Sequence, residues 1–358
     1  MRKIILTTGG TGGHIFPALA VAKELMRVDP TIEILFVGSL YGPEKELVER
    51  EGLAFHGFPV RCFLGRGMRS IGAAFHMFGA CAGAISLLRA YRPNVVAGFG
   101  GYASCAALTA SYVLGIPRVL HEQNAVPGMS NRLMGKIAKK ICVSLPATEG
   151  FAEQKCLYTG NPVREAVVRA GMAERSFQTR NLLVLGGSQG AHALNTFMCE
   201  NIARFSEAGI AIVHQTGKAD EKTVSEVYRA HGYPDTSVRA FIDDMPAVYT
   251  WADLALCRSG ASTLCELCAC GLPSILVPFP HAIHDHQTKN AKVLTDAGAA
   301  LMVQEAQIGK SVELAGLILD LFQNQDDRAQ LSHNAKKIAR PDAAAQVAQV
   351  ILQEADAS

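Results

Sequence analysis

Two stretches of this chain, half its length apart, constrain its fold more than anything else in it. Ile5-Leu6-Thr7-Thr8-Gly9-Gly10-Thr11-Gly12 and Leu183-Val184-Leu185-Gly186-Gly187-Ser188-Gln189-Gly190 each run from an apolar segment into a glycine-rich turn, and Gly9 and Gly186 are 177 residues apart. A strand that ends in glycines before a helix presents backbone N–H groups and lets the chain approach an anion closely. A chain of 358 residues is too long for one ordinary core. A unit repeated at half-length therefore predicts two domains of one architecture.

The segments between the repeats agree. Apolar runs at Lys3–Thr8, Ile32–Val37, Asn94–Gly98, Arg118–His121, Leu182–Leu185, Ala211–His214, Val238–Phe241, Leu254–Cys257 and Ser274–Val277 predict strands. Ala18–Val28, Leu194–Phe205 and Asp220–Ala230 predict helices among them. This βα alternation belongs to the α/β class, with parallel sheets covered by helices on both faces. Asn161-Pro162 and the charged stretch after it mark a join over Asn161–Ser176. The predicted domains are 1–160 and 161–340, and 341–358 forms a C-terminal helix able to pack back on the first.

Composition narrows the function classes. Lys plus Arg total 34 and Asp plus Glu 32, a net charge of +2, which gives no global attraction to nucleic acid. Ten cysteines behind an N-terminus that lacks a secretory signal pattern read as small core residues, not a disulfide framework. Cys265, Cys268 and Cys270 cluster without a second pair at a zinc-site spacing. Ser70–Leu88 carries no formal charge and approaches a membrane span in length. Its Gly and Ala content favours a helix in the core or on a membrane surface.

The glycine turns do not read together as a dinucleotide site. Ile15 breaks G-x-G-x-x-G after Gly10, and Gly186–Ala191 misses the spacing. Gly98-Phe99-Gly100-Gly101-Tyr102-Ala103 does fit G-x-G-x-x-A, and Glu122 ends the next apolar run. That keeps a nicotinamide or flavin enzyme as an alternative, though one that leaves the other two turns unexplained.

A resemblance becomes specific at these same residues. Thr8-Gly9-Gly10-Thr11-Gly12-Gly13-His14, Gly98-Phe99-Gly100-Gly101-Tyr102, His121-Glu122-Gln123-Asn124, Gly160-Asn161-Pro162-Val163-Arg164, Gly186-Gly187-Ser188-Gln189-Gly190-Ala191, Phe241-Ile242-Asp243-Asp244-Met245 and Arg258-Ser259-Gly260-Ala261 stand in the order expected of the MurG family. The chain resembles these N-acetylglucosaminyltransferases over almost its whole length. The resemblance implies a GT-B architecture, two Rossmann-like parallel-sheet domains facing across a cleft. It also implies inverting transfer from UDP-N-acetylglucosamine to undecaprenyl-diphosphate-linked N-acetylmuramyl-pentapeptide in peptidoglycan synthesis, without a cofactor. The donor belongs to the C-terminal half and the lipid acceptor to the N-terminal half. The expected location is peripheral, on the cytoplasmic face of the plasma membrane, with anionic lipid and other cell-wall synthesis proteins as partners.

Roles follow motif by motif. Ser188 and its glycines are placed near the donor diphosphate, as are Ala261, Ser262, Thr263, Leu264 and Cys265 at the start of a helix. Glu266 is placed at the ribose, Arg164 and the Ile242 backbone at the uracil, and Asn124 and Gln287 at the N-acetylglucosamine. Thr11, Gly12 and Gly13 join the donor set, and Gly100, Gly101 and Tyr102 take the acceptor diphosphate. Hydroxyls and N–H groups suit phosphate, and a carboxylate suits a diol. Ordinary helix capping is the plainer reading of Ser188, Thr263 and Glu266.

An inverting transfer needs a base for the acceptor hydroxyl. His14 is the candidate, because a helix N-terminus disfavours imidazolium and keeps a neutral imidazole available. Glu122 is placed to orient His14 or to replace it. The chain has no Asp-x-Asp, and His281, His284, Asp285 and His286 read as a donor-site loop before Gln287, so no metal is expected. Arg61, Arg66 and Arg69 before the apolar segment, with Lys136, Lys139 and Lys140, suit docking on anionic lipid. A UDP-sugar 2-epimerase and a non-catalytic UDP-sugar-binding scaffold remain the other readings.

Overall fold

The computed structural model describes residues 2–10, 12–60, 70–146, 148–308 and 311–357, without the side chains of 70–78 and 311–312. Thr11, Arg61, Arg66 and Arg69 thus lie outside the described residues. The chain divides into two compact units, 1–164 with 340–358, and 165–339.

Among the described residues of the first unit, seven strands form one parallel sheet: β1 (Lys3–Thr7), β2 (Glu33–Ser39), β3 (Ala54–Phe58), β4 (Val95–Gly98), β5 (Arg118–Glu122), β6 (Lys140–Val143) and β7 (Cys156–Tyr158), in the order β3-β2-β1-β4-β5-β6-β7. The described residues of the second unit form six parallel strands: β8 (Asn181–Leu185), β9 (Ala211–Gln215), β10 (Val238–Arg239), β11 (Leu254–Cys257), β12 (Ser274–Leu276) and β13 (Leu301–Met302), in the order β10-β9-β8-β11-β12-β13. Both sheets therefore reverse direction of growth beside their first strand, at β1/β4 and at β8/β11. Ligands of open parallel sheets bind at such a switch, outside the carboxyl ends of the strands. The two halves of the repeat are the strands and turns at these switches.

The strands' near-continuous apolar runs reflect burial on both faces: Ile4, Ile5, Leu6, Val95, Leu182, Leu183 and Val184 are all fully buried. In the first unit one core layer joins Ile4, Leu6, Ile15, Leu25 and Phe36 with Val347, Val350 and Ile351. The helix Ala343–Asp356 thus seals the face of the sheet that the helix Gly12–Val28 also covers. Arg2 fixes its far end through an ion pair with Asp356 at 2.8 Å. The opposite face packs Ile5, Val96 and Leu120 against Ala84, Leu88, Ala106 and Ala110. The uncharged segment is the helix Ser70–Tyr91, and its buried Ala80, Ala84 and Leu88 lie in that layer. Among the described residues no helix is long and apolar enough to cross a membrane.

Val238–Phe241 is strand only over Val238–Arg239. The chain leaves the ladder there because Ala240 N–H donates to Glu221 Oε1 at 2.8 Å and Ile242 N–H to Gln215 Oε1 at 2.9 Å.

Ile351 is fully buried and truncation would leave a cavity in that layer. Ile351→Ala is expected to destabilise the first unit by about 2–5 kcal/mol, read by urea unfolding, with little change in the unfolding of the second unit.

Candidate functional site

Each unit presents its candidate residues on the carboxyl edge of its sheet, and each is built around glycines where a Cβ would clash or be strained. In the first unit, Gly100 and Gly101 follow β4 with φ of 99° and 84°, the left-handed region where side chains are strained. A Cβ on Gly101 would lie 2.1 Å from the Gly9 carbonyl oxygen, and one on Gly100 would lie 2.9 Å from Nδ1 of His14. The turns after β1 and β4 therefore touch backbone to backbone. From that contact the helix Tyr102–Val113 begins, with Ser104 Oγ donating to Gly101 O at 2.7 Å. Gly12, Gly13 and His14 form the first turn of the helix Gly12–Val28. Gly10 N–H donates to Glu44 Oε1 at 2.9 Å, so a fully buried carboxylate holds this turn from below.

The end of β5 supplies the third wall, and here the structure separates two neighbours. Gln123, not Glu122, meets His14: Nδ1 of His14 lies 3.1 Å from Gln123 Oε1. Glu122 faces the other way. Its Oε1 accepts from Asn124 N and Nδ2 at 2.9 and 3.1 Å, and its Oε2 from Asn131 Nδ2 at 2.8 Å. Burial pushes the Glu122 carboxyl above its ordinary range, against these hydrogen bonds. The expected pairing of Glu122 with His14 is thus corrected to Gln123. Glu122 instead shapes the Asn124 turn, and Asn124 is fixed by it.

Arg164 belongs to the first unit, where its guanidinium lies over the Phe16 ring at 4.9 Å. The other uracil candidate, Ile242, belongs to the second unit.

In the second unit, the turn after β8 leaves Ser188 and Gln189 exposed. Gly190, at φ 79°, packs so closely that a Cβ would sit 1.9 Å from Thr216 O. Gln215 ties this turn to Ile242 in the segment after β10, donating from Nε2 to Gly187 O at 2.9 Å and accepting from Ile242 N–H. Across the switch, the helix Ala261–Cys270 starts at Gly260. Ala261 and Leu264 point into the core, while Ser262, Thr263, Cys265 and Glu266 are half-buried on the other face. Leu264 N–H closes the first helical bond onto Gly260 O at 3.0 Å, so Leu264 offers neither its amide nor its side chain. Glu266 Oε2 accepts from the buried Tyr249 hydroxyl at 2.8 Å. Arg258 anchors the loop, donating to the carbonyls of Val277 and Pro278 at 3.2 and 3.3 Å and pairing with Glu305.

Gln287 Oε1 accepts from Phe279 N–H at 2.9 Å, which sets its amide nitrogen as the available donor. His281, His284 and Asp285 are exposed before it. Among the described residues no three His, Cys, Asp or Glu side chains converge as a metal site. Lys139 pairs with Glu354 at 3.8 Å, whereas Lys136 lines a cavity of about 550 Å³ with Arg132 and Lys155.

Comparison with known proteins matches both units. Residues 4–143 match the glycosyltransferase family 28 N-terminal domain, and residues 181–347 its C-terminal domain. A transferase of Nitratidesulfovibrio vulgaris strain Miyazaki F is 45% identical over 97% of this chain and 96% of its own. The chain belongs to glycosyltransferase family 28. That relative is named UDP-N-acetylglucosamine--N-acetylmuramyl-(pentapeptide) pyrophosphoryl-undecaprenol N-acetylglucosamine transferase, and a Methylococcus capsulatus protein of the same name is 41% identical over 99% of both chains. The crystal structure of Acinetobacter baumannii MurG superposes with a TM-score of 0.75 at 30% identity, covering 99% of this chain and 100% of that one. A Listeria monocytogenes structure titled as a putative UDP-N-acetylglucosamine 2-epimerase shares the fold at 15% identity and a TM-score of 0.73, covering 100% of this chain and 98% of that one.

Beside this site, burial holds the His121 imidazole down at about 4, against the Gly160 carbonyl, which raises it. A base whose folded pKa lies below its unfolded value loses stability on acidification, because the unfolded chain takes the proton first. His121 is therefore expected to remain neutral from pH 8 to 5 in side-chain NMR, and to disfavour the folded state progressively between about pH 6.5 and 4. Glu122, with its pKa raised, acts in the opposite sense, stabilising the fold at low pH and losing that contribution as pH rises through its folded pKa.

Proposed function

We propose that this chain transfers N-acetylglucosamine from UDP-N-acetylglucosamine to undecaprenyl-diphosphate-linked N-acetylmuramyl-pentapeptide, with inversion at the anomeric carbon. The observation that carries the reading is the near-full-length 45% identity to a transferase of that name. The two switch-point sites supply the chemistry such a reaction asks for.

The second unit holds the donor. The exposed Ser188 turn and the start of the helix Ala261–Cys270 offer hydroxyl and N–H donors to the diphosphate. Glu266, steadied by Tyr249, accepts from the ribose hydroxyls, and the Ile242 carbonyl meets the uracil N–H. Arg164, Asn124 and Gln287 complete the donor contacts, with Gly12 and Gly13. The first unit holds the acceptor: Gly100, Gly101 and Tyr102 begin a helix, whose dipole favours the acceptor diphosphate. His14 removes the proton from the attacking hydroxyl as the C–O bond to UDP breaks. The developing charge on UDP is met by the same N–H groups that bound its diphosphate.

The first unit also meets the membrane, and the protein works peripherally on the cytoplasmic face of the plasma membrane. The helices Tyr102–Val113 and Met129–Ile137 pack together through Thr109 and Met134. They expose Tyr112, Val113, Met129 and Leu133, beside Arg132 and Lys136. An apolar surface with a basic margin suits anionic lipid.

Radiolabel transfer from UDP-N-acetylglucosamine to the lipid-linked muramyl-peptide, with EDTA present, is the direct test. Wild type is expected to transfer and His14→Ala to lose roughly 100-fold or more in kcat; conversion of the donor without acceptor would establish the epimerase reading instead. Tyr249→Phe is expected to weaken UDP binding about three- to tenfold by calorimetry, since it removes a hydrogen bond to a carboxylate. Leu133→Glu is expected to reduce flotation with anionic liposomes while leaving UDP affinity unchanged.

A further inference from the structure

We propose that Gln123 is a positioning residue that fixes the tautomer of His14, holding the proton on Nδ1 and the lone pair on Nε2. The inference rests on the reading of His14 as the base only for its consequence, not for its geometry.

The argument is a chain of donors and acceptors whose direction is forced. Gln123 Nε2 lies 2.9 Å from the Phe99 carbonyl oxygen, which can only accept. The amide nitrogen must therefore face Phe99, because the flipped amide would set two acceptor oxygens against each other. The same nitrogen lies 3.1 Å from His121 Nδ1, so its second hydrogen is given to that ring nitrogen. His121 consequently carries its own proton on Nε2, and that nitrogen faces the Gly160 carbonyl at 3.3 Å and Ser144 Oγ at 3.3 Å. Ser144 Oγ in turn has Asn161 Oδ1 at 3.4 Å as its acceptor. Every assignment from Asn161 to Phe99 is consistent with a neutral His121, and burial keeps that ring neutral.

With the nitrogen of Gln123 so engaged, its Oε1 is the atom that faces His14, 3.1 Å from Nδ1. An amide oxygen only accepts, so His14 Nδ1 carries the hydrogen. In its neutral form the ring then bears its lone pair on Nε2, the nitrogen on the far side from Gln123. Free imidazole of histidine prefers the opposite tautomer, with the hydrogen on Nε2, so the protein selects the less common form. Gln123 is able to impose it because it does not itself turn: it is 2% exposed, and both of its amide hydrogens are committed. Gly100 allows the arrangement, since a Cβ there would intrude to 2.9 Å from His14 Cε1 and Nδ1. A base that must accept a proton at Nε2 is ready without a prior tautomer exchange, and as the ring becomes imidazolium the Nδ1–H···O bond strengthens.

The test is long-range 15N–1H NMR of the full-length protein labelled at histidine, with His14→Ala used to assign the His14 signals. Wild type is expected to show neutral His14 as the Nδ1–H tautomer. Gln123→Met, close in volume but without donor or acceptor, is expected to shift His14 to the Nε2–H form and to lower kcat roughly ten- to 100-fold, with the donor KM within about twofold. Nε2–H in the wild-type spectrum would overturn the proposal whether or not any variant folds, and so would a His14 tautomer unchanged in a folded Gln123→Met protein. If His14 follows Gln123 but His14→Ala still transfers sugar, the positioning stands and the base assignment falls. If His14→Ala is inactive while the wild-type tautomer is Nε2–H, the reverse holds.

Discussion

In each unit a turn after a parallel strand approaches its neighbour so closely that a Cβ would meet a backbone oxygen: Gly101 against Gly9 O at 2.1 Å, and Gly190 against Thr216 O at 1.9 Å. The candidate site of each unit is built around one of these two contacts. Side chains at either position would push the turns apart and widen the crevice that the strand order opens at β1/β4 or β8/β11. Positive φ at the same glycines adds a second reason for the residue type, since side chains are strained there. The glycines therefore meet two demands at once, a close packing and a left-handed backbone.

The two units share this frame but fill it with different chemistry. In the first, the wall beside the glycines holds imidazoles and amides: His14, His121, Gln123, Asn124 and Asn131, with the buried carboxyl of Glu122 among them. Such a set is suited to directing protons, in keeping with the proposed base. In the second, the equivalent edge is exposed hydroxyl, amide and helix start, with Glu266 held by Tyr249 and the turn laced to Ile242 through Gln215. That set is suited to phosphate and diol, in keeping with the proposed donor site. A transfer reaction needs both, which is a physical reason for duplicating a fold and specialising the copies.

The sheet frame was legible in the sequence because buried parallel strands are apolar on both faces. Lys3–Thr8, Leu182–Leu185 and Leu254–Cys257 differ from the observed strands by no more than a residue at either end. The strands that the apolar runs did not announce are edge or short ones. β3 alternates exposed and half-buried residues at the sheet margin, β6 is four residues behind paired lysines, β7 has only three residues, two of them exposed, and β13 has two half-buried ones. Short strands lack enough residues to show a pattern. The site was legible as motifs but not as pairings. A motif names neighbours along the chain, whereas Tyr249 with Glu266, Gln215 with Ile242 and Glu44 with Gly10 are contacts across it.

One pairing, however, could have been read from elementary geometry. Successive residues at the end of a strand face opposite sides, so in His121-Glu122-Gln123-Asn124 the first and third share one side and the second and fourth the other. The hydrogen bonds follow that division: His121 with Gln123, and Glu122 with Asn124. A carboxylate is the more familiar partner for a catalytic imidazole. The structure shows the physical cost of that choice. A carboxylate at position 123 would set oxygen against the Phe99 carbonyl and against the lone pair of His121 Nδ1, both acceptors. Only an amide can give two hydrogens on one side and accept one on the other, and so join a buried neutral histidine to a partly exposed one without carrying charge into the core.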